Sequence, residues 1–226
     1  MASEHHLYLP LRIARLRRCA HYGDTLRGLL ALRAIVACPA LADLGIERAA
    51  AERDARIALD GLRLAIVVAA RGIRCDSVVV ITGGTTTIAT SGDCLYDQDA
   101  NEYSSAACIK CDYDFTMSGG TLTMTSSGDG GKGINSSAGV VFSGGTLSAI
   151  TTGDNDEGKP KAVKADKGIT VSGGSFYAKV NKSWACDSGY GDDNTSDDEK
   201  LANCVTVVGS PATKNITKKQ VQIIFE

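Results

Sequence analysis

Aromatic residues make up only 5% of the 226-residue chain, with a single tryptophan, Trp184, and proline occurs four times. All three histidines lie before residue 23, no arginine follows Arg74 and no lysine precedes Lys110. With no histidine beyond that point, the one Cys-x-x-Cys pair, Cys108 and Cys111, lacks the partners of a zinc site. The formal net charge of −2 offers no clustered basic excess of the kind that neutralises phosphates, so no nucleic-acid partner is expected. No apolar run approaches the roughly 18 residues of a membrane span. Arg33 and Asp43 interrupt the best candidate, and Arg63 and Arg71 bracket the next. Nucleophile motifs, phosphate loops and dinucleotide fingerprints are missing as well.

The cations divide the chain. All twelve arginines lie between Arg12 and Arg74 and all twelve lysines between Lys110 and Lys219. The first seventy residues are rich in Ala, Leu and Arg, and IERAAAERDARIALDGLRLAIVVAA reads as helix. After a boundary near Arg71 the composition turns to Gly, Thr, Ser and Asp. Residues 1–70 therefore form an atypical segment with three open origins: a helical domain, a fused piece, or further repeats read out of frame. LRGLLALRAIVACPALA has the small-residue end of a signal peptide, but Arg33 inside its apolar stretch fits one poorly.

Residues 71–226 repeat. GIRCDSVVVITGGTTTIATSGD, CIKCDYDFTMSGGTLTMTSSGD, GINSSAGVVFSGGTLSAITTGD and AVKADKGITVSGGSFYAKVNKS align on Ile73, Ile109, Ile134 and Val163, each ten residues before a Gly-Gly pair. In the first three copies a second glycine follows eight residues later, and the fourth departs at Lys182. Apolar residues alternate within each copy, which is the period of strands. No copy can bury its apolar face alone, so the copies must stack. The expected fold is all-β, a right-handed parallel β-helix of about four coils spaced roughly 4.8 Å apart. An antiparallel sandwich would want shorter, irregular turn spacing. The insertions Cys94 to Ala106, Asn155 to Lys161 and Ser183 to Cys204 all follow the same corner, so one edge carries the loops, where function concentrates. The terminal KKQVQIIFE ends in a strand suited to closing the last coil.

Stacking brings equivalent residues together. Cys75 and Cys111 share one position, read as an inward ladder within disulfide range. Cys94 with Cys108, and Cys186 with Cys204, would staple two insertions, a device of extracellular proteins. Asp93, Asp129 and Asp154 form one acidic column, and Asp76, Asp112 and Asp166 another. Two readings stand: each carboxylate caps a turn, or calcium bridges neighbouring coils. Asp156, Glu157, Asp192, Asp193, Asp197 and Asp198 are either further ligands or solvated surface. Beside the acids runs an outward ladder of Arg74, Lys110, Asn135 and Lys164, suited to an acidic polysaccharide. Tyr96, Tyr103, Tyr177, Trp184 and Tyr190 offer stacking faces for sugars, although Trp184 equally reads as the anchor of its loop.

The elements Gly-Ile-Arg-Cys-Asp and Cys-Ile-Lys-Cys-Asp, with the repeated Ser-Gly-Gly-Thr, resemble the bacterial carbohydrate-binding β-helix family, secreted proteins related in fold to pectate lyases. The resemblance spans residues 71 to 226. It implies calcium at acidic corners, carried by position to Asp76, Asp93, Asp112, Asp129 and Asp166, and binding of cellulosic or acidic polysaccharide without cleavage. The chain departs from the pattern at Ser137 and Lys182, and residues 1–70 match nothing in it. Pectin-cleaving relatives need a cationic base near calcium, or paired carboxylates with supporting His and Arg, and the repeats lack His and later Arg. The expectation is a noncatalytic, secreted or cell-surface module that binds polysaccharide through Arg74, Lys110, Lys164, Tyr177, Trp184 and Tyr190. A lyase using Lys110 or Lys164 as base, and a structural stalk or adhesin without glycan affinity, are the alternatives.

Overall fold

The computed structural model describes residues 57–59, 63–68, 71–98, 101–104, 106–154 and 158–226. Each repeat folds as three short strands. They are β3 (Ile73–Cys75), β4 (Val79–Ile81) and β5 (Thr85–Thr90) in the first copy, and β8 (Ala107–Cys111), β9 (Phe115–Met117) and β10 (Thr121–Ser126) in the second. The third supplies β11 (Lys132–Ser136), β12 (Val140–Phe142) and β13 (Thr146–Thr151), and the fourth β14 (Lys161–Ala165), β15 (Ile169–Val171) and β16 (Ser175–Val180). Two strands precede them, β1 (Ile57–Leu59) and β2 (Arg63–Val68), and β17 (Trp184–Asp187) follows. The chain then runs through a helix α1 (Asp197–Asn203) and strands β18 (Thr206–Val207), β19 (Thr213–Ile216) and β20 (Gln220–Ile224).

Each strand pairs with its counterpart in the neighbouring repeat, so three sheets grow side by side. Their orders are β1-β4-β9-β12-β15-β18, β17-β14-β11-β8-β3 and β19-β20-β16-β13-β10-β5-β2. The pairings are parallel except where β20 joins β16 and β19. The protein is nearly all-β.

The ten-and-eight spacing sets the register. Val79, Phe115, Val140 and Ile169 stand in one ladder, and Ile73, Ile109, Ile134 and Val163 in a second. Ile88, Met124, Ala149 and Ala178 form a third. All are buried, and Phe142 meets Phe176 edge-on with ring centroids 5.6 Å apart. A one-residue slip would turn each set outward, so the apolar pattern enforces the pairing. At the corners, Gly120 and Gly145 adopt φ of +80° and +85°. A Cβ on Gly145 would lie 2.5 Å from the Gly120 carbonyl oxygen of the repeat below. Both the positive φ and the close approach demand glycine there.

The helical expectation for the stretch before Arg71 fails where the structure describes it. Arg63–Val68 pairs residue for residue with Thr85–Thr90, and Ile57–Leu59 pairs with Val79–Ile81. The open edges of β4 and β5 supply a row of backbone donors and acceptors, and that tertiary template outweighs local helix preference. The rest of 1–70, including Cys19 and Cys38, lies outside the described residues. At the other end the expected terminal strand is present as β20. It covers the edge of β16 in antiparallel sense, extended by β19.

Two of the insertions carry structure of their own among the described residues. Cys94 to Ala106 contains an antiparallel hairpin of β6 (Leu95–Asp97) and β7 (Glu102–Ser104), with Tyr96 and Tyr103 rings 5.0 Å apart. Ser183 to Cys204 contains β17 and α1. The Ser196 hydroxyl caps α1 by accepting the Glu199 N–H at 3.2 Å. Asp192 closes a local turn by accepting the Asn194 N–H at 2.9 Å.

The six described cysteines are buried and none forms a disulfide. Neither expected loop staple is present. Cys108 turns into the core, where its thiol reaches the carbonyls of Thr125 and Ile88 at 3.4 and 3.7 Å. Cys94 instead packs against Gly130 and Gly158. Cys186 and Cys204 lie in the core without a bridge. Cys75 and Cys111 do stack in register, and burial pushes the Cys111 thiol up to about 12.

Candidate functional site

The outer face of the sheet β17-β14-β11-β8-β3 carries two rows of side chains. One runs Arg74, Lys110, Asn135, Lys164 and Asp187. The other runs Ala107, Lys132, Lys161 and Trp184. The insertions rise beside this face and turn it into an open groove of about 1220 Å³. Tyr103 of the hairpin, Lys159, Lys182, the stretch from Tyr190 to Asp193, Lys200, Lys218 and Lys219 supply its edges. Among the described residues eleven Lys or Arg side chains line it against five aspartates, on a chain whose overall charge is −2. Among those residues positive charge is therefore gathered on one face.

Three of the five groove aspartates are tied to cations. Asp112 lies 3.6 Å from Arg74 and 3.8 Å from Lys110, and Asp166 lies 2.6 Å from Lys164. Asp187 lies 2.9 Å from Lys161. Burial works against ionisation of Asp187, but the charge and hydrogen bond of Lys161, the Gly189 N–H and Lys164 outweigh it and hold the carboxyl below its usual range. Lys132 and Lys161 are themselves 7% and 6% exposed. Burial, followed by the charges of nearby lysines, lowers Lys132 to about 8. Burial also lowers Lys161, against the pull of Asp187.

Five of the six expected ligand residues converge here: Arg74, Lys110, Lys164, Trp184 and Tyr190. Tyr177 does not. It lies on β16, paired with Ser148 and Gln222 in a different sheet. Trp184 lines the groove beneath the Lys218 ammonium, 4.9 Å from the ring centroid, and Lys218 is held by Asp197 at 2.6 Å. This arrangement fits the anchor reading of Trp184. Tyr190 donates its hydroxyl to Glu199 at 2.9 Å.

The expected calcium ligands separate into two kinds. Asp76 pairs with Arg74 at 3.3 Å, and Asp112 and Asp166 pair within the groove as described. At the corner, Asp93 accepts the Asp129 N–H at 2.8 Å and Asp129 accepts the Asp154 N–H at 2.9 Å. Each of these two carboxylates thus brackets the next repeat's backbone, and calcium between repeats would have to compete with the amides. Among the described residues no group of three or more His, Cys, Asp or Glu is placed to hold a metal ion.

Lys132 and Lys161 were not among the expected residues. Both stand one position before the aligned copies GINSSAG and AVKADKG, so carrying the alignment one residue further upstream exposes the pair.

Residues 43–158, just over half of the chain, match the model of a family described as carbohydrate-binding domain-containing proteins. The chain belongs to that family. A glycan is accordingly the partner class, and the match begins upstream of Arg71, in keeping with the pairing of β1 and β2. Neither the curated proteins nor the solved structures contain a match to the chain. Among the described residues no helix is long and apolar enough to cross a membrane.

Proposed function

We propose that the protein binds an acidic polysaccharide without cleaving it, along the basic groove of a right-handed parallel β-helix. Three parallel sheets receiving one strand each from successive repeats support the β-helix reading. The observation that carries the ligand reading is the excess, among the described residues, of eleven cations over five carboxylates along one open groove. A polyanion laid there would meet a cation on successive rungs about 4.8 Å apart, and a neutral cellulosic chain would gain nothing from them. Calcium is not required in this reading, because Asp76, Asp112 and Asp166 are occupied by Arg and Lys, and Asp93 and Asp129 by backbone amides. A polysaccharide of this kind lies outside the cell, so an exported or cell-surface protein is part of the proposal.

One observation favours a lyase as the second reading. Lys132, with its proton affinity lowered to about 8, is a better base near neutrality than an ordinary lysine. Its ammonium is nevertheless turned towards the Gly130 and Gly158 carbonyls at 3.4 and 3.5 Å, on the floor of the groove. Titrating the full chain against polygalacturonate and cellulose, with calcium and with chelator, while following unsaturated-uronide absorbance, separates the readings. The expected result is polygalacturonate binding that weakens with salt, is indifferent to chelator and gives no absorbance. Rising absorbance would establish the lyase, and no affinity for either polymer would leave a stalk or adhesin.

A further inference from the structure

In three of the four repeats the outward cation is followed two residues later by an aspartate: Arg74 by Asp76, Lys110 by Asp112 and Lys164 by Asp166. The third repeat departs at both places, with Asn135 and Ser137. The register holds there nonetheless. Asn135 pairs with Lys110 on one side and Lys164 on the other. The Ser137 N–H donates to the Cys111 carbonyl at 3.0 Å, as the Asp112 N–H donates to Cys75 at 3.1 Å and the Asp166 N–H to Ser136 at 3.2 Å. Ser137 therefore stands in the acidic column, between Asp112 and Asp166, without a charge. Arg74 lies 3.3 and 3.6 Å from Asp76 and Asp112, and Lys164 lies 2.6 Å from Asp166. Lys110 is 3.8 Å from Asp112, and its ammonium donates instead to the Ser137 hydroxyl at 2.9 Å. Lys110, Asn135, Ser137 and Lys164 all line the groove.

We propose that Asn135 and Ser137, with the Lys110 ammonium that reaches towards them, form a subsite that receives one carboxylate of the polysaccharide. This rests on the acidic-polysaccharide reading and assigns it an anchoring point. At the other three repeats an incoming carboxylate meets a fixed aspartate beside the cation, and like charges so placed repel. On β11 that aspartate is missing, while Lys110 and Lys164 remain on the strands about 4.8 Å to either side. The donors at this place are an ammonium, a side-chain amide and a hydroxyl, each able to bond a carboxylate oxygen. An ammonium bonds a carboxylate more strongly than it bonds a hydroxyl, so Lys110 gains by exchanging the Ser137 oxygen for the ligand, and the serine hydroxyl is then released to donate as well. Asn135 and Ser137 are half-buried, which strengthens these bonds relative to an open surface.

Ser137→Asp restores the acid that the other repeats carry, and Asp76, Asp112 and Asp166 at the equivalent positions show that the backbone accepts it. The test measures the dissociation constant of the full chain for polygalacturonate, at one salt concentration, for the wild type, Ser137→Asp, Asn135→Ala and Ser183→Asp. The last adds the same charge to the same groove, next to β17 rather than on β11. Expected for Ser137→Asp is binding about tenfold weaker, from the lost Lys110 donor and the repulsion of the new carboxylate. Asn135→Ala should weaken binding about threefold, the worth of one hydrogen bond, and Ser183→Asp by less than about threefold, as a rim charge screened by salt. Ser137→Asp that binds as the wild type does, or no more weakly than Ser183→Asp, overturns the subsite and leaves the acidic-polysaccharide reading standing, as does Asn135→Ala at wild-type affinity. A wild type that binds no polygalacturonate overturns that reading, and the subsite with it.

Discussion

Replacing Lys132 with methionine separates the cost of a buried ammonium from its use. In the unfolded chain a lysine titrates near 10.5, and in the folded protein Lys132 titrates near 8. At about 1.4 kcal/mol per unit, the folded state gives up about 3 kcal/mol at pH 7 to keep the proton. Because the folded value is the lower one, the unfolded chain binds more protons between pH 8 and 10.5, and stability conferred by this residue rises through that window. Methionine has a similar length and no charge. Among the interactions it loses are two long hydrogen bonds to Gly130 and Gly158, together worth about 1 kcal/mol. Lys132→Met is therefore expected to be more stable than the wild type by at most about 2 kcal/mol at pH 7. The gain should shrink between pH 8 and 10.5 and vanish or reverse above it. Urea unfolding of both proteins at intervals from pH 7 to 11 measures this directly, since constant packing differences do not change with pH. A stability difference equal at pH 7 and pH 10.5 would refute the assignment of the burial cost to Lys132.

Three further substitutions address the core, a corner and the groove. Among the described residues the buried Thr151 hydroxyl makes no hydrogen bond, whereas Thr90 and Ser126 in the same ladder bond each other at 3.0 Å. Thr151→Val should therefore stabilise by about 1 kcal/mol in urea unfolding. Gly145→Ala should destabilise by about 3 kcal/mol, because it combines a φ of +85° with a Cβ against the Gly120 carbonyl; a change below 1 kcal/mol in the same assay would mean the corner can relax. Asp187→Asn removes the carboxylate from the nine-tenths-buried Lys161. With Asp187 itself 29% exposed, the loss should be about 2 kcal/mol at pH 7. Polygalacturonate affinity should rise as positive charge is freed, an opposite pair of readouts.

The repeat was legible because it is written in two periods at once. Alternation along each strand names the inward residues, and the constant distance from Ile73, Ile109, Ile134 and Val163 to the Gly-Gly corner states that the copies superpose. Both are local or one-dimensional facts, so the paired ladders follow from residue spacing alone. The same alignment placed Arg74, Lys110 and Lys164 in one outward row. Less was legible before Arg71, where Arg63–Val68 carries a helix-like composition but becomes a strand on the edge of β5. Its conformation comes from a partner more than twenty residues away.

The sequence by itself determined the strand periodicity, the register between repeats, the corners that require glycine and the edge from which the loops emerge. Each follows from spacing along the chain. Only the tertiary structure decided that the loops rise beside the basic face, that Tyr177 lies in a different sheet while Lys132 and Lys161 line the groove, and that five of the six carboxylates in the acidic columns are engaged by cations or amides. Those outcomes depend on distances between loop and sheet, and on how much water each charge keeps, and neither quantity is a function of residue spacing.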